Sequence, residues 1–216
     1  LYDTADKNNA SAYVDWDMEH IHIGKLKQFF PTLPILFPMT NSLEGIVDCQ
    51  LTALCPLDSS SAIDLTGLYA ACSFKGSNMV LFSNETFHQI ANKFRFKDKK
   101  RNLLEDLSVD FIVKNQNIEI FPFIIKIDRY SFITSGKHRL DMTYDYHVDV
   151  LDSPIPFNFG LDVSGQNGNF QYKPVFGTQY GKVYANPLER EKLHYDKYRR
   201  LNEIRASIRK ALDTGI

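Results

Sequence analysis

Asp141, Asp145, His147 and Asp149 stand two and four residues apart in RLDMTYDYHVDV (139–150), a run whose polar and apolar residues alternate throughout. Carboxylates beside an imidazole are the raw material of a hard-metal site or of a general acid–base pair. A strand, however, spaces alternate side chains about 6.5–7 Å apart, so neighbours in one row do not converge on a single ion or proton. A solvated face accounts for both the polarity and the alternation, and places Asp145 and Asp149 in water. A hydrolase built on the Asp141/Asp145/His147 row would need these carboxylates to meet a distant His in a pocket.

The other chemistry-bearing residues are more scattered. His20 and His22, flanked by Asp17 and Glu19, would share one side of a strand, where two imidazoles could begin a zinc site. No Cys or third His stands nearby at ligand spacing, so both are read as surface polar residues and no metal is expected. His88, His138, His147 and His194 belong to no local motif. Cys49 and Cys55 share one strand phase about 20 Å apart, far beyond disulfide reach. Cys72 could bond either of them; the alternative is a small, buried apolar role for all three. Nucleophile elbows and phosphate-binding or dinucleotide-binding loops are missing, and Gly165–Gly168 is a hairpin signal. Lys93, Arg95, Lys97, Lys99, Lys100 and Arg101 could hold phosphate, lipid head groups included, but Asp98, Glu105 and Asp106 blunt them and a solvated loop face explains them as well. No catalytic residue and no cofactor is expected.

What must position these residues is a sheet. Leu140, Met142, Tyr144, Tyr146, Val148 and Val150 hold the apolar phase of the alternating run, and Phe157, Phe159, Leu161 and Val163 resume it after the break at Ser153–Pro156. Two successive amphipathic strands belong to an antiparallel sheet with one wet face. Residues 46–55 alternate in the same way. Ile63–Phe74 and Met79–Phe82 are expected as two strands separated by Gly76, and Ser135–Gly136–Lys137 as a turn. Near Phe121–Pro122 the apolar phase changes parity, which is how a β-bulge looks in sequence.

Three helices are expected. One spans 23–30 and ends at Pro31; another spans 84–96, with Phe87, Ile90, Ala91 and Phe94 as its stripe. The third starts near Pro187, where the composition turns to strong helix formers without Gly. Its stripe is Leu201, Ile204, Ile208 and Leu212. With eight basic and four acidic residues between 187 and 212 it is cationic, but Glu189, Glu191 and Asp196 spoil a clean membrane-binding face. It is expected to dock on the sheet edge or another segment, with Arg and Lys stems covering apolar surface.

At 216 residues the chain suits one β-rich domain, 1–186, followed by the basic helix at 187–216. Its 16 Phe and 11 Tyr favour sheet over helix bundle. A net charge of −1 offers no bulk attraction to nucleic acid. No run of 18 apolar residues exists, and three prolines interrupt FFPTLPILFPM (29–39), so no transmembrane helix is expected. The chain begins at Leu1 without a signal-peptide pattern and reads as a piece of something longer.

The stretches IEIFPFIIKIDRY (118–130) and LDMTYDYHVDVLDSPIPFNFGLDVSG (140–165), with SLEGIVDCQLTALCPLDSS (42–60) and SNMVLFSNETFHQIANKFRFKDKKRN (77–102), resemble the C-terminal region of AsmA-like proteins of Gram-negative bacteria. The resemblance implies a periplasmic module attached to the inner membrane through a segment outside this chain. It also implies kinship with TamB-type proteins and their lipid-conducting β-groove. The expected fold is therefore mainly β with flanking helices, its twisted antiparallel sheet curled into a groove. Leu140, Met142, Tyr144, Tyr146, Phe157, Phe159, Leu161 and Val163 would line that groove or an ordinary core. The function expected is non-enzymatic: outer-membrane biogenesis or lipid transport, with lipid acyl chains, envelope proteins or other segments of the longer chain as partners. The alternative is a structural or protein-interaction domain of the cell envelope.

Overall fold

In a computed structural model, which describes residues 2–3, 10–31, 33–82, 101–127, 129–152, 159–166 and 169–213, eleven strands join one antiparallel sheet. In chain order they are β1 (Tyr2–Asp3), β2 (Ser11–His22), β3 (Leu43–Pro56), β4 (Tyr69–Phe82), β5 (Arg101–Leu104), β6 (Leu107–Lys114), β7 (Asn117–Ile127), β8 (Tyr130–Arg139), β9 (Thr143–Asp152), β10 (Phe159–Gln166) and β11 (Asn169–Phe176). Each lies beside its neighbour in sequence, with one refinement. The long β4 pairs with β6 through Ala70–Gly76 and with β5 through Met79–Phe82, so β5 and β6 lie end to end in a single lane. Among the described strands β1 and β11 are the edges.

Alternation divides the side chains between two faces. One is apolar and carries Val47, Cys49, Ala53, Cys55, Ala70, Cys72, Val113, Ile118, Ile120, Phe132, Val150 and Leu161 in two adjoining clusters. The short helix α1 (Ile23–Phe29) seals one end of it by burying Ile23 and Leu26. After α1 a proline-rich strap lies over the same face, comprising the single turn α2 (Leu33–Leu36) and a 3-10 turn (Pro38–Ser42). Phe30 of the strap meets Trp16 at 4.7 Å between ring centroids, and Phe37 meets Phe111 at the same distance.

The opposite face is covered by the C-terminal segment, α3 (Gly181–Ala185) and then α4 (Pro187–Asp213). Pro187 opens α4, where its missing N–H costs nothing, and Asn186 Oδ1 accepts from Leu188 N at 3.1 Å. Leu201, Ile204 and Ile208 pack on Ala71, Ile112 and Phe121, with Tyr13, Leu54 and Tyr69 around them. Full burial of three such side chains is worth roughly 1.5–3 kcal/mol each. Charged contacts pin the helix at its margins. Lys197 meets Asp110 at 2.6 Å, Arg200 grips Glu119 with two bonds of 2.7 Å, and Arg209 reaches Asp15 at 3.0 Å. Between them the Arg205 guanidinium donates to Ser73 Oγ at 3.0 Å, and the Arg200 guanidinium lies 4.9 Å over the Phe121 ring.

Several expectations change. The helix docks across the sheet face rather than on its edge. Ser135, Gly136 and Lys137 are interior residues of β8, and the turn falls instead at Leu140–Met142, where Met142 takes φ +66°. The run at 139–150 is therefore the end of one strand, a turn, and a second strand. Gly76 lies inside a single strand, β4. The bulge is where the parity change put it, with the β7–β8 register shifting between Ile120 and Phe123. A second shift, between Glu44 and Ile46, is built on Gly45, whose φ of +146° suits glycine alone. The expected helix at 84–96 and the basic cluster up to Lys100 lie outside the described residues, whereas Arg101 begins β5. Among the described residues no helix is long and apolar enough to cross a membrane.

Candidate functional site

Tyr144, Tyr146, Phe159, Leu161 and Val163 fall on the apolar face, with differing cover. Leu161 is buried, whereas Tyr144, Tyr146, Phe159 and Val163 are half-buried; Tyr144 and Phe159 are thus less covered than a closed core would make them. Tyr146 and Val163 stand opposite each other in the β9–β10 ladder. Leu140 and Met142 belong to the turn, Leu140 packing against the second apolar cluster, and Phe157 lies outside the described residues. Leu51, Phe74, Phe111, Phe123, Ile125 and Val148 are also half-buried on this face. A band of large apolar side chains thus keeps part of its surface in water.

At the β8–β9 end this band holds a polar island. His138 is 5% exposed and stands opposite Ile118 on one side and Tyr144 on the other. Its Nδ1 lies 3.3 Å from the Tyr146 hydroxyl, while its buried Nε2 has no hydrogen-bond partner among the described residues. Burial lowers the His138 pKa and raises that of Tyr146, so both groups are neutral. Gly136 makes the pair possible, because a Cβ there would collide with the Tyr146 ring. The signal for His138 was its phase, since Phe132, Thr134, Gly136 and His138 alternate in step once 135–137 is taken as strand.

On the helix-covered face the aspartate row is split. Asp145 is exposed, and so is Asp141, whose carboxylate accepts from Thr143 N at 2.9 Å within the turn. Asp149, expected in water, is 0% exposed. One of its oxygens accepts from Tyr180 N at 2.6 Å and the other lies 2.9 Å from His147 Nε2. His147 Nδ1 lies 2.6 Å from Asp162 Oδ1 on β10. Ser135, opposite His147 in the ladder, donates to the Tyr180 hydroxyl at 3.0 Å. The segment leading into α3 covers this cluster, which is why a polar strand face ends up buried. With a carboxylate on each imidazole nitrogen, His147 has no free nitrogen to act as a base toward Ser135 or toward water. The arrangement is a latch between the sheet and the C-terminal segment.

The remaining candidates stay apart. His20 sits in a β2 irregularity with φ +54°, its backbone N donating to Asp48 at 2.8 Å, while His22 holds the position before α1 without a side-chain capping bond. Among the described residues no group of three or more His, Cys, Asp or Glu side chains is placed to hold a metal ion. All three cysteines are buried free thiols, Cys49 and Cys72 touching at 3.9 Å. Burial pushes the Cys55 thiol up to about 11. A depression of about 570 Å³ at the start of α1 is lined by His22, Lys25, Gln28 and Glu44 among others, away from the polar island.

Comparison with family models, with curated proteins and with solved structures found no match to this chain.

Proposed function

We propose that the chain is a non-enzymatic β-sheet module whose apolar face receives lipid acyl chains, within an envelope protein of AsmA-like kind serving outer-membrane biogenesis or lipid transport. The observation that carries this reading is the half-buried apolar band on a sheet otherwise well covered. Large aromatic and aliphatic side chains stay partly in water along several consecutive strands of one face. Each CH₂ of an acyl chain laid on such a surface gains about 0.8 kcal/mol, so a long chain needs little head-group chemistry to bind. The latch of His147 and Asp149, with both imidazole nitrogens occupied, fits a structural role better than a hydrolytic one.

A photo-crosslinking residue placed at Val148, Phe159 or Val163 is expected to capture lipid in cells, and one at Asp145 or Asp141 is not. If all three apolar positions capture nothing in folded, expressed protein, the acyl-chain reading falls. A second reading, a docking module of the envelope, is favoured by the open β11 edge, where Phe176 is 97% exposed and Tyr172 46%. Under that reading, crosslinks form to protein from Phe176 and not to lipid from Val148.

A further inference from the structure

The buried nitrogen with no partner on the apolar face asks for an acceptor. We propose that His138 and Tyr146 form a polar anchor in that face, which takes the carbonyl oxygen of an acyl ester while the chain lies along the neighbouring strands. This rests on the acyl-chain reading above and adds to it where the ligand's head is held and by what chemistry.

A neutral imidazole has one N–H and one lone pair. We assign the Tyr146 hydroxyl as donor to Nδ1, which puts the hydrogen on Nε2, a buried atom with no partner among the described residues. A buried donor left unmade costs a protein stability, and a ligand that supplies the acceptor recovers it. Ligand sites are typically apolar surfaces with a few convergent polar groups, and these two side chains give this part of the face that composition. An ester oxygen suits the pair better than a phosphate. Lys137 and Arg139 flank His138 in sequence, but alternation directs both to the opposite face.

The present cover is a strap of the chain itself. The Phe37 ring stands edge-on to His138 at 6.3 Å. The hydrogen bonds seen for Phe30, Leu33, Phe37 and Thr40 run within the strap or to α1, as in Phe37 N to Leu33 O at 2.8 Å and Lys27 Nζ to Thr40 O at 3.2 Å. An acyl chain that displaces Phe37 therefore exchanges one apolar contact for another and breaks no bond to the sheet at that ring.

The test compares two pyrene-tagged C12 chains binding to the purified chain, one ending in a methyl ester and one a plain alkane. His138→Phe is expected to weaken the ester by about tenfold relative to the alkane, a loss of the size expected for one buried hydrogen bond. Tyr146→Phe should shift the ester in the same direction by less. In the unmutated protein the ¹⁵N resonance of His138 Nε2 should move when the ester is added and stay put with the alkane, a readout that needs no variant to fold. If the unmutated protein binds both probes and His138→Phe affects them equally or not at all, with the resonance unmoved, the anchor is wrong and the acyl-chain reading stands. If the unmutated protein binds neither, both are wrong.

Discussion

The Asp149 carboxylate serves two masters, taking the Tyr180 backbone N–H on one oxygen and the His147 ring on the other. For both ring nitrogens of His147 to donate to carboxylates, the imidazole must carry two hydrogens and hence a positive charge. Burial alone would lower its pKa, but the bonds to Asp162 and Asp149, and then their charges, raise it above the ordinary value of 6.5. A raised folded-state pKa contributes stability that is complete below the unfolded value and vanishes as pH rises through the folded one. His147→Gln should therefore be clearly less stable than the unmutated protein in urea melts at about pH 5.5, with the gap closing toward about pH 9. A gap independent of pH would mean that the ring is neutral in the fold. Asp149→Ala removes one partner of a buried charge pair and should cost about 3–5 kcal/mol, whereas Asp145→Asn, on the exposed part of the row, should leave the melt unchanged. The residue types of this cluster stand plainly in the sequence; their burial does not. Alternation says that Asp149 and Val150 face opposite ways, but not that residues 177–186 will return to cover the polar side.

Elements were legible wherever a local rule ends or begins them. Pro31 stops α1, Pro187 starts α4, and the parity change at Phe121–Pro122 marks the bulge in β7. The turn at Leu140–Met142 escaped because its apolar residues stay in step with the strands on both sides, so periodicity runs through it unbroken. The signal that could have found it is Asp141, whose side chain accepts from the backbone two residues on, a turn-forming bond. Gly136 misled in the opposite sense, since it serves the Tyr146 ring rather than a turn. For α4, the apolar stripe was visible but its landing site was not, because complementary residues such as Ser73 and Glu119 are 132 and 81 positions from the helix residues they meet. The docked geometry makes three expectations. Leu201→Ala should cost about 2–5 kcal/mol as a buried large-to-small change. Asp110→Ala, which strands the largely buried Lys197 ammonium, should cost about 3–5 kcal/mol. Asp110→Ala combined with Lys197→Met should recover much of that loss. Chemical denaturation of the three variants measures all of this, and a double variant no better than the single would show that the pair matters for more than charge balance.

Across the molecule, protection is uneven by construction. The central lanes β3, β4, β6 and β7 are packed from both sides, by the apolar clusters on one face and by α4 on the other. Among the described residues β11 has a sheet neighbour on one side only, and most of its described side chains are exposed. Amide hydrogen exchange should therefore proceed first along β11 and the outer edge of β2, and last in β4 and β6, with opening free energies rising from the edges inward. Uniform exchange would indicate that the sheet opens as one cooperative unit. The mainly antiparallel sheet itself was legible from alternation and from the weight of aromatic residues. The number of lanes and the sharing of one lane by β5 and β6 depend on which strand ends meet, and no local pattern encodes that.

The position of α4 has a mechanical consequence. Its side chains touch β2 through Asp15, β3 through Leu54, β4 through Ser73, β6 through Asp110 and β7 through Glu119, so one rigid rod crosses five adjacent lanes. In a meander, a pull applied between the two edges would peel strands off singly, each rung carrying the full load in turn. The rod stops that zipper. β11 and β10 can be stripped in small steps until the tear meets first the Asp149–Tyr180 latch on β9 and then, past β8, the rod, where several lanes must yield together. Under tension the chain should extend in a few low-force steps and then hold at one high-force plateau, the behaviour of a fabric with a ripstop sewn across it.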